Sequence, residues 1–236
     1  MKKFLIATVV LLGSISFANA EMFRVGVSVF GGVFEADGAK EIFSGDHSSN
    51  TTTAKVTKST KDEGDSAEGE FALGSVFAEF QANDQLSLGV SYVPHSSGSE
   101  TAENIQNIVA PPSEPTSTKV INTVKVSFED LVTVYALANL NENVYLKAGI
   151  MQVELITEEN LASGGAYGDD TLEGYTIGLG YNMDLADGMF VRAEAAYMEI
   201  DGVTLTNTND STKSVSADGI TAVSYTHLTL PTSNSV

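Results

Sequence analysis

The chain has no cysteine, no tryptophan and few basic residues. Without cysteine it has neither a disulfide staple nor a cysteine nucleophile. Only 12 Lys and Arg stand against 31 Asp and Glu, a net charge of −19, which disfavours nucleic acid and anionic surfaces as partners. Long apolar runs are also missing. Past the N-terminus no stretch approaches the ~18 unbroken apolar residues of a membrane helix. If the mature chain sits in a membrane it must be a closed β-barrel, because only helices and barrels satisfy every backbone group in lipid. Stability without disulfides must then come from a closed hydrogen-bonded sheet or from a large core.

A catalytic constellation is missing as well. The histidines are His47, His95 and His227, and Asp46 beside His47 is a generic pair in a polar segment. The reading is therefore no catalytic residues, no cofactor and no metal. The acidic runs Asp62–Glu70 and Asp169-Asp170 offer oxygen donors of the kind Ca²⁺ takes. Their spacing is not that of an EF-hand, and they read as hydrated loop. Gly178 and Gly180 lie inside a strand pattern with no helix after them, so they are not a phosphate loop.

Turning to what is present, MKKFLIATVVLLGSISFANA opens the chain. Lys2 and Lys3, the apolar run Phe4–Leu12 and the small residues Ala18-Asn19-Ala20 form the three parts of a secretory signal peptide, assigned to residues 1–20. Removing it leaves 10 basic against 31 acidic residues, a net −21.

The remainder alternates. Thr171–Ile200 reads as two strands with a turn at Asp184–Gly188: Tyr175, Ile177, Leu179 and Tyr181 in the first, and Met189, Val191, Ala193, Ala195 and Tyr197 in the second. A period of two gives each strand one apolar face and one small or charged face. Further strands are expected over Met22–Glu35 (Phe23, Val25, Val27, Val29), Glu68–Gln81 (Phe71, Leu73, Phe77) and Leu86–Pro94 (Leu86, Leu88, Val90, Tyr92). Val120–Asn139 is the fourth, with Val124, Val126, Phe128, Val132 and Val134 on one face. Val144–Thr157 is the fifth, of mixed parity, and an eighth begins at Ala217. Pro111, Pro112 and Pro115 exclude a central strand in His95–Lys119.

Connections alternate in length. Ala36–Ala67, His95–Lys119, Glu158–Asp170 and Asp201–Ser216 are long and polar; those near Asn83, Asn141 and Asp187 are short. Alternate-end sorting of this kind is the pattern of an outer-membrane barrel, with short periplasmic turns and long extracellular loops. The expected fold is all-β: an eight-stranded antiparallel up-and-down transmembrane β-barrel over residues 21–224. Its small or charged faces line a narrow interior filled by side chains, with Arg24, Glu79, Lys147, Arg192 and Glu194 as interior charges and Arg192 with Glu194 at the centre. Phe23, Tyr92, Tyr175, Tyr181 and Tyr197 are placed to form interfacial girdles.

Signal peptide, strands and loop order together resemble the small outer-membrane β-barrel family, which includes the membrane domain of outer membrane protein A and the opacity-type surface proteins. Ser127–Thr157 and Asp169–Leu205 look like barrel proteins of marine bacteria. The resemblance implies an outer-membrane address. It implies membrane lipid, lipopolysaccharide and the barrel-assembly machinery as partners, a monomer, and a structural or surface-interaction role such as envelope integrity, adhesion or loop presentation. A small porin-like channel is the alternative, and a soluble periplasmic β-sandwich the second. One departure stands out: the family ends in an aromatic-terminated strand, whereas this chain ends YTHLTLPTSNSV. Residues 225–236 read as a foreign tail replacing the end of the last strand.

Overall fold

The computed structural model describes residues 23–37, 40–43, 55–58, 67–94, 97–98, 102–109, 118–160, 165–185, 190–208 and 213–231. They form strands β1 (Phe23–Asp37), β2 (Lys40–Phe43), β3 (Lys55–Lys58), β4 (Ala67–Asn83), β5 (Leu86–Val93), β6 (Ser97–Gly98), β7 (Ala102–Val109), β8 (Thr118–Asn139), β9 (Val144–Asn160), β10 (Asp170–Asp184), β11 (Phe190–Thr206) and β12 (Lys213–Pro231). The leader and Asp187 lie outside the described residues, as do His47 and His95.

Eight strands make a ring. β1 pairs with β4, β4 with β5, β5 with β8, β8 with β9, and so on through β10 and β11 to β12, which pairs back to β1; all these ladders are antiparallel. Ring closure leaves no edge in the membrane-crossing part. It also decides between barrel and sandwich: Val25, Leu88 and Leu179 are 42%, 48% and 52% exposed, so no second protein layer covers them. The apolar band on β10 runs from Tyr175 to Met183, about 27 Å of strand, enough for a tilted crossing of the hydrocarbon. Phe23 against Phe80, at 5.2 Å between ring centroids, and Tyr181 mark its short-turn end. Tyr92 and Tyr175 mark the other end. There Tyr92 donates to Asp130 at 2.5 Å, and Tyr175 and Tyr197 donate to one oxygen of Glu199 at 2.5 and 3.1 Å.

Four expectations need correction. Val132 and Val134 do not share a face with Phe128. The β8–β9 register shifts between Glu129 and Val132, where Asp130 takes φ 52°, and this bulge sends Phe128 inward against the core. Bulges insert a residue and reset the alternation. His95–Lys119 is not all loop: β6 and β7 pair with β8 there, and β3, from the first polar segment, pairs with β7. Asp201–Ser216 is largely strand, since β11 runs to Thr206, β12 starts at Lys213, and β2 pairs with β12. Finally, the apolar residues Phe71, Leu73 and Phe77 of β4 face inward.

The interior therefore has two tiers. The short-turn half holds the buried charges, set among Tyr135, Leu137, Tyr145 and Phe190. The other half is apolar, built from Val153, Leu155, Tyr167, Leu172 and Leu205 with Phe128, Leu131, Ile200 and Val203 packed on them. β12 includes 225–231, which pair with β1 in a ladder ending at Gly26 opposite Pro231.

Candidate functional site

The charged tier arises because alternation aims one residue in two from each strand at a lumen only as wide as its side chains. Short residues come first. Gly89 and Gly149 both lie directly across from Tyr135, and Gly180 lies across from Tyr145. A Cβ at Gly89 or Gly180 would run into the tyrosine ring, so each ring lies flat over a glycine and turns its hydroxyl to the lumen. Ser28 and Ser75 hydrogen-bond each other at 2.6 Å on a neighbouring patch of wall.

Onto this floor the long charged side chains converge. Arg192 reaches from β11 to Glu79 on β4, past the intervening β12 and β1, and donates through Nη1 and Nη2 to the two carboxylate oxygens at 2.6 and 3.0 Å. Its Nε donates to Asn182 Oδ1 at 2.8 Å. Tyr135 donates its hydroxyl to Glu79 at 2.8 Å. The guanidinium lies 4.9 Å from the Tyr145 ring and 5.1 Å from the Phe190 ring, so its faces meet aromatic rings while its edges hydrogen-bond. The Glu79 and Arg192 side chains are 1% and 6% exposed. Charges so dry persist only when paired and fully hydrogen-bonded.

A second pair flanks the first. Lys147 donates to Glu194 at 2.7 Å, and Tyr145 donates to the other Glu194 oxygen at 2.6 Å. Lys147 lies 4.7 Å from the Tyr135 ring, which links the two pairs. Two acids and two bases thus balance within one network that spans β4, β8, β9, β10 and β11. Arg24 is the direct cross-strand neighbour of Glu79 but takes a different place, 5.3 Å from the Phe190 ring. It lines a polar mouth of about 420 Å³ on the short-turn side with Gln81, Asp84, Gln85, Asn139 and Asn182.

Of the five interior charges read from the sequence, the structure brings four into one network and leaves Arg24 at its mouth. It pairs Arg192 with Glu79 and gives Glu194 to Lys147. Sequence reasoning missed Tyr135, Tyr145 and Asn182, although the tyrosines carried a signal: each sits at an inward position where the neighbouring strand offers glycine. Asp169 accepts from the Thr157 amide and Asp170 from the Thr171 amide. Among the described residues no three His, Asp or Glu side chains gather as a metal site.

The family model for the outer membrane protein beta-barrel domain matches residues 5–222. The chain belongs to that family. It is an outer-membrane β-barrel protein, crossing with strands; among the described residues no helix is long and apolar enough to cross. No curated protein matches it. Solved structures similar to the barrel include Ail, the attachment invasion locus protein of Yersinia pestis, at 10% identity and TM-score 0.35, covering 86% of this chain and 99% of that one. OprG from Pseudomonas aeruginosa is 10% identical with TM-score 0.39, covering 91% and 100%. The outer membrane protein AlkL is 9% identical with TM-score 0.42, covering 91% and 92%. In the barrel, the network occupies the lumen and braces five strands against each other.

Proposed function

We propose that this barrel is a closed scaffold of the outer membrane that anchors and displays its long loops, with a structural or surface-interaction role and no catalytic one. The observation that carries the reading is the dry Glu79–Arg192 pair seated among rings, with Tyr145 fully buried beside it. A lumen filled by a balanced charge network and capped by an apolar tier has no continuous water path. The residues left to meet other molecules are those outside the membrane band. Lipid and lipopolysaccharide contact the apolar wall, the barrel-assembly machinery inserts it after removal of residues 1–20, and it acts as a monomer.

The test is planar-bilayer conductance of refolded protein whose folding is verified by its heat-dependent shift in gel mobility. Silence is expected, whereas steady openings of the wild type would reject the scaffold reading. A second reading, a narrow conduit for small ions, has one observation in its favour: charged groups run from Arg24 at the mouth through Glu79 and Arg192 to Lys147. Under that reading Arg192→Ala changes conductance; under the scaffold reading it mainly lowers stability.

A further inference from the structure

Arg24 is the inward charge that the network leaves over. Arg192 and Lys147 each answer a carboxylate, on Glu79 and Glu194. Arg24 stands directly across from Glu79 on the neighbouring strand, yet both Glu79 oxygens are taken by Arg192, and one of them also by Tyr135. The half-buried Arg24 guanidinium instead lies against the Phe190 ring, 5.3 Å from its centroid. Stacking on a ring fixes a guanidinium and leaves its N–H edge open. Among the described residues that edge donates to no acceptor and pairs with no carboxylate. Arg24 lines the polar mouth of about 420 Å³ at the short-turn end, and two amide side chains line it too. Asn182 has its Oδ1 committed to the Arg192 Nε, which leaves its Nδ2 to offer. The Gln81 amide makes no hydrogen bond among the described residues. A half-buried cation with unused donors in a concave polar site is set for an anionic group.

The rim selects among anions. Asp84 and Glu142, both exposed, line the same mouth from the β4–β5 and β8–β9 turns. Each turn is closed by an asparagine: Asn83 Oδ1 accepts from the Gln85 and Leu86 amides, and Asn141 Oδ1 from the Asn143 and Val144 amides. The turns are also tied together, since Asn139 donates its amide to the Gln85 carbonyl and its Nδ2 to the Asp84 carbonyl. A simple anion approaching Arg24 meets these two carboxylates and a chain of net charge −19, and is repelled. A molecule that brings an amine together with its carboxylate is not. We propose that the short-turn mouth is a binding site for a short zwitterionic peptide, with the C-terminal carboxylate on Arg24 and the ammonium toward Asp84 and Glu142. The Gln81 and Asn182 amides suit the peptide groups between the two ends. The site faces the periplasm with the charge network as its floor, and it does not depend on whether the lumen conducts.

The sequence supplies its own probe, because its arginines are Arg24 and Arg192. Protein carrying isotope-labelled arginine, refolded in nanodiscs, gives one Nε–H resonance from each. The buried Arg192 resonance persists longer in heavy water, and Arg24→Lys removes the other. Triglycine is expected to shift the Arg24 resonance saturably, with half-saturation at about 1 mM, an ordinary strength for a ligand of this size, and to move Arg192 far less. Triglycine blocked at both ends, as its N-acetyl amide, is expected to leave Arg24 unmoved. Acetate is expected to bind about ten-fold or more weakly than triglycine, and Asp84→Asn with Glu142→Gln, both on exposed turns, to erase that preference. An Arg24 resonance that triglycine leaves in place, or moves only as sodium chloride does, overturns the site. An equal shift with the blocked peptide overturns it too, and so does acetate binding the wild type as tightly as triglycine.

Discussion

Replacing Glu79 with alanine is the sharpest perturbation the interior allows. Three hydrogen bonds go at once: two from Arg192 at 2.6 and 3.0 Å and one from Tyr135 at 2.8 Å. The guanidinium stays, 6% exposed, with Asn182 as its remaining hydrogen-bond acceptor and ring faces on its flanks. Removing one partner of such a pair costs about 3–5 kcal/mol, most of it the penalty of a buried charge left unneutralised. The stranded Tyr135 hydroxyl pushes toward the upper half of that range, because an unsatisfied buried donor costs about 1–3 kcal/mol by itself. We therefore expect a loss of about 4 kcal/mol. With a urea slope near 2 kcal/mol per molar, the midpoint would drop by about 2 M. Unfolding from lipid vesicles is followed by far-ultraviolet circular dichroism, since the chain has no tryptophan. The second half of the prediction is the double variant Glu79→Met with Arg192→Met. Replacing a whole buried pair by apolar side chains of similar size is about neutral, so it should be far more stable than Glu79→Ala alone. A single variant losing less than about 1 kcal/mol, or a double variant whose loss equals the sum of the singles, would show that the pair is not desolvated and coupled as described.

Weaker perturbations grade predictably. Lys147→Ala breaks a pair whose lysine is 17% exposed, so the vesicle assay should show a smaller loss, about 1–2 kcal/mol, because residual solvent screens the stranded carboxylate. Gly180→Ala puts a methyl into the Tyr145 ring and should cost about 1–3 kcal/mol by overpacking, and the same substitution made in a Tyr145→Ala background should cost less than it does in the wild type. Leu179→Arg, on the wall between Tyr175 and Met183 where Leu179 is 52% exposed, should cost about 2–4 kcal/mol in vesicles, the penalty for arginine near the bilayer midplane. Thr204→Arg, on exposed strand beyond the apolar band, should change stability by less than about 0.5 kcal/mol.

What the chain determined alone was everything that repeats every second residue. The outward valines of β1, the Leu86–Tyr92 alternation of β5 and the long-short order of connections are local properties. Membership of one face needs no knowledge of the neighbouring strand, and together they already imply a ring in lipid. The inward charges were legible for the same reason, since Arg192 and Glu194 alternate with Val191, Ala193 and Ala195 on a strand with an apolar outer face. Their partners were not. Glu79 and Arg192 are 113 residues apart, and which carboxylate meets which guanidinium across a lumen depends on the stagger of every ladder between them. That stagger is a collective outcome of ring closure. A single αL residue at Asp130 resets the faces of β8, and nothing in the alternation of Val124 to Val134 announces it. The same holds for Tyr167: its loop is polar, and only the space left beside an apolar tier, which exists once the strands have closed, draws a tyrosine inward.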